Sequence, residues 1–346
     1  MNKINNTPVR QSNIELLRLI AMLLIIVGHT PLLSLLSKQP ITDTPLTSFL
    51  TFGFKGLTIC SVDVFVLISG WFGIRYKGER LLSLLFQTLF FSIIVYTTLA
   101  LWKPLQYLNL DALSTIIMFH SDDYWFIKAY IGLYLFAPML NKYIEAATEK
   151  QLRIFLIIFY TFQTIYGWLN LYGAHWFEGG FSMVSFCGLY ILARYVRLYF
   201  KEERKYFWLT LYMSAGLLIG LMCFVLALMD LNIYGRLLTY TNPLVVCEAL
   251  FVLLFFQNLN FKSKYINYLA ASCLAMYLLH AHPLVLWPIF RATINNWLSS
   301  LPINISLIYS SLFIIAFILA AIIIDIIRKK IWNIATKSFI TNKCSS

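Results

Sequence analysis

Long, continuously apolar runs dominate the chain, and short polar or charged segments separate them. The runs are not β-strands, because apolar and polar residues would then alternate. Backbone polar groups within a bilayer must be satisfied inside the segment itself, so each run is predicted to be a transmembrane helix. Ten spans are predicted, at 15–36, 49–72, 82–102, 124–141, 152–171, 181–200, 207–229, 238–258, 268–290 and 303–327.

The composition supports a membrane protein. About 60% of the 346 residues are hydrophobic and 12% are charged, and the mean hydropathy is +0.74. A soluble domain is nearer half apolar and a quarter charged, so a soluble enzyme, a disordered chain and a disulfide-rich secreted domain are excluded. We predict an all-α, polytopic bundle of about ten spans in a lipid bilayer. It forms one domain over residues 1–346, with no fused soluble domain.

The distribution of positive charge predicts the orientation of the bundle. The chain has 27 Lys and Arg against 15 Asp and Glu, which gives a net charge of +12. With the N-terminus inside, the inner segments hold 21 of these cations and the outer segments hold 5. Basic residues collect in cytoplasmic loops, so both termini are predicted to be cytoplasmic. The positive charge needs no nucleic-acid partner to explain it.

Neither a disulfide framework nor a metal site is expected. The six cysteines are scattered singly, without a Cys-x-x-Cys pair, and most fall in apolar runs, where a thiol is commonly a small core residue. His280 and His282 form the one close histidine pair. Two residues apart on a helix, they point away from a common face and suit a shared metal poorly.

Charged or titratable side chains inside the predicted spans are the candidates for function. Each costs roughly 2.5–3.5 kcal/mol or more in a bilayer, and such residues commonly face the bundle interior. The candidates are Arg18, His29, Asp63, Lys128, Glu248, His280 and Asp325.

Arg18 and His29 lie eleven residues apart on the first predicted helix. At about 100° per residue they share one face, and at 1.5 Å per residue they are separated by roughly 16 Å. This layout suits a long ligand, with a cation at an anionic head and an imidazole at the far end. Histidine is the natural general base near neutral pH. The alternative is that Arg18 extends to the inner interface and His29 donates to a backbone carbonyl.

The residues around this pair resemble a known family. Glu15-Leu-Leu-Arg18, followed after ten residues by His29, resembles the Arg-x10-His signature of the membrane acyltransferase 3 family. Three further segments resemble the family in order along the chain: VDVFVLISGWF at 62–72, YWF at 124–126 with Tyr134 and Pro138, and YLLH at 277–280.

The resemblance implies an enzyme of the bacterial cytoplasmic (inner) membrane. It would move an acyl group, usually acetyl, from cytoplasmic acyl-CoA to a hydroxyl. Acceptors in this family are commonly sugars of surface polysaccharides, lipopolysaccharide or peptidoglycan precursors, and small molecules also occur. The family's functional pair corresponds to Arg18 and His29. Many members carry Arg-x-x-Arg after the second span, whereas this chain has Arg75, Lys77 and Arg80 there.

These residues suggest how acetyl-CoA is used. Phosphates need cations, so Arg75, Lys77 and Arg80 are expected to bind CoA together with Arg18, unless they are ordinary inner-loop charges. His29 would act as the general base on the acceptor hydroxyl, or as a nucleophile that is itself acylated.

Further candidates have less specific signals. Asp63 would orient His29 or another buried base, or else bond a neighbouring helix or pair with a lysine. Donors to an oxyanion are expected among Ser69, Tyr124 and Trp125. His280 would line the acceptor channel or make an interhelical hydrogen bond.

The remaining candidates concern the outer mouth and two ion pairs. Asp122 and Asp123 lie where they would bind sugar hydroxyls, although exposed loop acids usually have no such role. Glu248 and Lys128 are expected to pair across the bundle. Asp325 and Arg328 form an i,i+3 pair of structural type.

Two rival hypotheses remain open from the sequence. A transporter or flippase for a lipid-linked glycan would also have ten or more spans and buried charges, but it typically shows two pseudo-symmetric halves, and none is evident. A structural or sensory membrane protein leaves the shared face of Arg18 and His29 unexplained. The acceptor, the oligomeric state and the choice between direct and covalent transfer are not encoded in any recognisable pattern.

Overall fold

The computed structural model describes residues 10–31, 45–117, 124–170, 176–231 and 233–343, with side chains as far as residue 336. Every regular element in these ranges is helical, as the continuous apolar runs predict, and none of them contains a strand. The longer helices are α1 (Ser12–Gly28), α2 (Pro45–Thr58), α3 (Ser61–Phe72), α4 (Gly78–Trp102), α5 (Trp125–Ala146), α6 (Glu149–Phe162), α7 (Met183–Tyr199), α8 (Lys205–Leu228), α9 (Pro243–Gln257), α10 (Lys264–Ala270), α11 (Cys273–His280), α12 (Ala292–Ser300) and α13 (Ile303–Lys343).

Several of these helices are long and apolar enough to cross a membrane. Within the described ranges they are Pro45–Phe72, Gly78–Trp102, Lys205–Leu228 and Ile303–Thr336, and a bent pair of helices adds a fifth candidate. The other predicted spans that are helical here are shorter or less apolar. The total of about ten spans and the cytoplasmic position of both termini therefore stay predictions.

The span predicted at 268–290 is not one straight helix. It belongs to the bent pair, in which Lys264–His280 and Pro283–Ser300 meet at 62°. Proline lacks the backbone N–H that would continue the ladder, and its ring clashes with the preceding turn. His282 caps the new helix, its Nδ1 accepting from the backbone N–H of Leu284 at 3.1 Å. The apolar run hid this break, because hydropathy averages over a single proline.

Helix α1 occupies the centre of the bundle. It packs against α3, α9, α10 and α11, and two buried apolar clusters meet along it. Leu17 and Ala21 belong to one cluster, and Met22 and Ile26 belong to the other. Helices in lipid associate chiefly through such close packing. The helix that carries Arg18 and His29 is thus held on several sides.

Glycines bring α2 and α8 into unusually close contact. A Cβ on Gly56 would lie 2.1 Å from the backbone oxygen of Gly216, and one on Gly220 would lie 2.6 Å from the Cα of Gly53. Small residues four apart permit this approach of two backbones. The Gly216-x-x-x-Gly220 pair is therefore a helix contact, and it fixes α2 against α8.

Candidate active site

One face of α1 lines a cavity of about 540 Å³, which we name the central cavity. Arg18, Met22, Ile25 and His29 all contribute to it, and their spacing is that of a single helical face. The predicted common face of Arg18 and His29 is therefore present, and the face borders a space that can hold a ligand.

The imidazole of His29 is held by a second histidine. His29 Nδ1 lies 3.0 Å from His280 Nε2, and His280 Nδ1 lies 2.8 Å from the carbonyl oxygen of Met276. A carbonyl only accepts, so His280 Nδ1 carries a hydrogen and, in the neutral ring, its Nε2 is an acceptor. His29 Nδ1 must then donate, which assigns the lone pair of neutral His29 to Nε2.

His280 has the second of its two predicted environments. Its ring is 1% exposed and lines neither the central cavity nor the smaller cavity beside His29. The alternative of an interhelical hydrogen bond is the one that the structure has, and its partner is the candidate base itself. His280 is a positioning residue in this geometry, because it fixes the ring and tautomer of His29.

Asp63 does not orient His29. Its carboxyl is buried on α3, and its Oδ2 has no hydrogen-bond partner. Glu248, fully buried on α9, likewise has no partner at either carboxyl oxygen. The expected Glu248–Lys128 pair is therefore not formed, and Lys128 instead lines a different cleft together with Glu178.

A second, smaller cavity of about 210 Å³ also reaches His29, and we name it the side cavity. Ile25, His29, Val62 and Tyr240 line both cavities. Lys55 of α2 lines only the side cavity. His29 thus stands where two spaces meet, which is the arrangement required of a residue that acts between two substrates.

Arg10 and Arg18 make one end of the central cavity basic, the end that the predicted orientation places on the cytoplasmic side. Arg18 is paired with Glu15, with 2.7 Å between Nη1 and Oε2. Arg10 also lines the central cavity, and its Nη1 donates to the carbonyl of Asn267 at 2.8 Å. Arg10 lines a large cleft of about 1300 Å³ as well, which we name the inner cleft. A continuous series of lining residues therefore runs from the inner cleft to His29.

Six cations and two acids line the inner cleft. The acids are Glu202 and Glu203, and the cations are Arg10, Arg197, Lys201, Arg204, Lys205 and Lys262. A hydrogen bond from Arg204 lowers the pKa of the Glu202 carboxyl. The excess of positive charge, together with the arginine forks, suits a phosphorylated ligand.

Arg75, Lys77 and Arg80 lie elsewhere. All three are exposed and line neither the central cavity nor the inner cleft. Their loop is anchored through its backbone, since the hydroxyl of Tyr134 bonds the N–H and C=O of Lys77 at 3.0 and 3.1 Å. The structure does not bring these residues to Arg18, so their role in binding CoA stays a prediction.

Of the three predicted oxyanion donors, two line the central cavity and one does not. Ser69 and Trp125 line the central cavity. The hydroxyl of Ser69 is within 3.1 Å of the carbonyl of Phe65, to which it donates. Tyr124 is buried, and its hydroxyl donates to the carbonyl of Leu278 at 2.7 Å. Tyr124 therefore supports the packing of α11 rather than the cavity wall. Asp122 and Asp123 lie outside the described residues.

Sequence reasoning missed several residues near His29. The guanidinium of Arg291 donates to the backbone carbonyl of His29 at 2.6 Å and lies 4.6 Å above the ring of Trp287. Glu15 stands in the Glu15-Leu-Leu-Arg18 motif, but its ion pair with Arg18 is not predicted from the sequence. The inner cleft could have been predicted from the sequence, because the loop between α7 and α8 that lines it belongs to the most basic of the segments between spans.

Comparison with known proteins supplies the family. A family model described as an acyltransferase domain matches residues 11–326, nearly the whole chain. No curated protein and no solved structure matches the chain. The matched region contains α1 and, with the exception of Arg10, every residue that lines the central cavity. The chain therefore belongs to the acyltransferase 3 family of membrane acyltransferases.

Proposed function

We propose that this protein is a multi-pass O-acyltransferase of a bacterial cytoplasmic membrane. It transfers an acyl group, with acetyl preferred, from cytoplasmic acyl-CoA to a hydroxyl of a cell-envelope sugar. The observation that carries the proposal is the hydrogen-bonded series Met276–His280–His29. It assigns the lone pair of neutral His29 to Nε2, and His29 lines both the central cavity and the side cavity.

The donor occupies the inner side of the site. The phosphates of CoA bind among the cations of the inner cleft, and the pantetheine arm follows α1 past Arg10 and Arg18. The distance of roughly 16 Å from Arg18 to His29 suits an extended arm, with the thioester at its end. Apolar Met22 and Ile25 line this path, which favours an alkyl chain over a hydrated ion.

The acceptor hydroxyl meets the thioester at His29. Nε2 takes the hydroxyl proton while the acceptor oxygen bonds to the thioester carbon. The tetrahedral intermediate then expels the CoA sulfur, which takes the proton from the imidazolium as the ester is released. His280 stabilises the transient positive charge by accepting from Nδ1.

A covalent route uses the same atoms in another order. Nε2 attacks the thioester carbon and the carbon–sulfur bond breaks, which leaves an acyl-imidazolium and the CoA thiolate. The acceptor oxygen then bonds to the acyl carbon as the Nε2–carbon bond breaks, and the proton of the hydroxyl passes to the thiolate. Both routes require Nε2 of His29 to be unprotonated and oriented toward the cavity. They differ in whether an acylated enzyme exists without an acceptor.

The test follows radiolabel from acetyl-CoA into envelope glycan, in membranes that contain wild type, His29→Ala or His282→Gln. His282 is the control, because it is a buried histidine that lines neither cavity, and a glutamine side-chain oxygen can still accept from the N–H of Leu284. We expect labelled glycan from wild type and His282→Gln, and none from His29→Ala at equal expression. Labelling unaffected by His29→Ala would overturn the assigned chemistry. Absence of labelling by wild type would favour the transport of a lipid-linked glycan.

A further inference from the structure

The side cavity contains a cation that the proposed reaction does not use. Lys55 of α2 lines this cavity together with His29. It is partly buried, and its Nζ lies 5.5 Å from the centre of the Phe52 ring. The side cavity is otherwise mostly apolar, with Thr58, Ser61 and Tyr240 as its other polar residues.

Lys55 has no acid beside it, unlike the cations that form ion pairs within the bundle. Arg18 pairs with Glu15 at 2.7 Å, and Arg328 and Lys329 pair with Asp325 at 2.7 and 2.6 Å. No carboxylate lies within ion-pair distance of Lys55 among the described residues. A partly desolvated ammonium without an anion is costly. An anion supplied by a ligand would offset that cost.

The position of Lys55 strengthens this argument. Only 5 of the 27 cations fall in the predicted outer segments. Two of these lie near His29, since Lys55 lines the side cavity with it and Arg291 donates to its carbonyl at 2.6 Å. Positive charge is thus concentrated beside His29 on the side of the protein where it is otherwise scarce. The field favours a negative group next to the reacting hydroxyl.

We propose that the side cavity binds the acceptor and that the acceptor is an anionic sugar. Lys55 binds a carboxylate or phosphate on the sugar, which places a neighbouring hydroxyl at Nε2 of His29. Lys55 is then a specificity-determining residue. This inference rests on the proposed function for its chemistry, since it names the class of substrate that enters the same site from the other cavity.

The test measures binding without turnover. Diethyl pyrocarbonate acylates unprotonated imidazole, and mass spectrometry of the purified protein gives the rate at which His29 is modified. The probes are methyl β-glucuronide, methyl β-glucoside 6-phosphate and uncharged methyl β-glucoside. The variants are Lys55→Met, Lys55→Arg and Lys103→Met. Lys103 is the matched control, since it also lies over an aromatic ring on the predicted outer side but lines neither cavity beside His29.

We expect at least one anionic sugar to slow modification about fivefold at a concentration where the glucoside has no effect. Lys55→Met should abolish that protection, whereas Lys55→Arg and Lys103→Met should keep it. The two anionic arms show whether carboxylate or phosphate is preferred. Equal effects of all three sugars, or protection that survives in Lys55→Met, would overturn the proposal. Comparing the sugars on the wild type alone decides the matter if Lys55→Met does not fold.

This readout needs neither acyl-CoA nor transfer. A protein that transfers acetyl without selecting anionic sugars would therefore fail this test and pass the labelling test. A protein that binds anionic sugars without transferring acetyl would pass this test and fail the labelling test. The two proposals thus fail separately.

Discussion

Two buried polar groups, one at Asp325 and one at His29, satisfy the same sequence criterion for function but differ in their surroundings. Asp325 Oδ1 accepts from Gln87 at 3.3 Å and from Arg328 at 2.7 Å. Its Oδ2 accepts from Ser272 at 2.8 Å and pairs with Lys329 at 2.6 Å. Neither oxygen is left without a partner. Asp325 lines neither the central cavity nor the side cavity.

His29 has one ring nitrogen bonded to His280, its other ring nitrogen makes no hydrogen bond within the described residues, and the residue lines two cavities. The two groups differ in whether the protein leaves one of their hydrogen-bonding sites unused. A buried group whose hydrogen-bonding sites are all used by the protein stabilises the fold. A buried group that keeps one site open toward a cavity can bind or react. The four predictions below test this distinction, in order of decreasing effect.

The largest effect is expected for His29→Gln. Glutamine keeps a polar group near His280 but cannot act as a base, so the rate of acetyl transfer should fall about 10³-fold. The free energy of unfolding should change by less than about 1 kcal/mol, because no ion pair is lost. Initial rates with labelled acetyl-CoA and thermal unfolding in detergent measure the two quantities. A large loss of stability with normal activity per folded molecule would instead show that His29 stabilises the fold and has no part in the reaction.

Asp325→Ala is expected to have the opposite pattern. It leaves Arg328, which is 5% exposed, without its acid, and breaking such a buried pair costs about 3 kcal/mol. Activity per folded molecule should stay close to wild type. Thermal unfolding and active-protein titration test this. Adding Arg328→Met to Asp325→Ala should recover part of the stability, and no recovery would show that the pair is not the cause.

His280→Gln is expected to have a smaller effect on activity, about 10- to 100-fold. The variant replaces the imidazole that links the Met276 carbonyl to His29 with a flexible amide, which fixes the tautomer of His29 less firmly, so kcat should fall while the KM for acetyl-CoA stays constant. Steady-state kinetics at saturating acceptor separates the two parameters. An increase in KM alone would instead show that His280 contributes to the donor site.

Asp63→Asn is expected to have the smallest effect, less than about threefold in rate and less than about 1 kcal/mol in stability. Asp63 neither holds His29 nor forms an ion pair, and its Oδ2 has no partner to lose. Glu248→Gln is the parallel variant, since Glu248 has no partner either. A loss of activity as large as that of His280→Gln would restore Asp63 as an orienting residue.

The amino-acid sequence predicts some parts of this arrangement because they are local. Helical structure follows from the apolar runs, and the shared face of Arg18 and His29 follows from helical geometry over eleven residues. The pair Asp325–Arg328 is likewise set by an i,i+3 spacing. Each of these features depends on residues of a single helix.

Other parts depend on contacts between distant segments. His29 and His280 are 251 residues apart, so their hydrogen bond is set by how α1 and α11 pack. Asp63 is as buried as His280, and only the packing of helices determines which of them meets His29. The departure of Arg75, Lys77 and Arg80 from the cavity has the same origin, whereas the bend at Pro283 has a local cause that hydropathy averages away.

The bend between α11 and the helix that begins at Pro283 has a consequence for the geometry of catalysis. His280 and Arg291 lie on opposite sides of it, and both contact His29, one at the ring and the other at the carbonyl. In a straight helix these residues would be roughly 16 Å apart along the axis, too far to reach the same residue. The bent segment therefore holds His29 at two separate places, the imidazole through His280 and the backbone carbonyl through Arg291. A rotation of either arm alone would therefore move the imidazole of His29 relative to its own backbone.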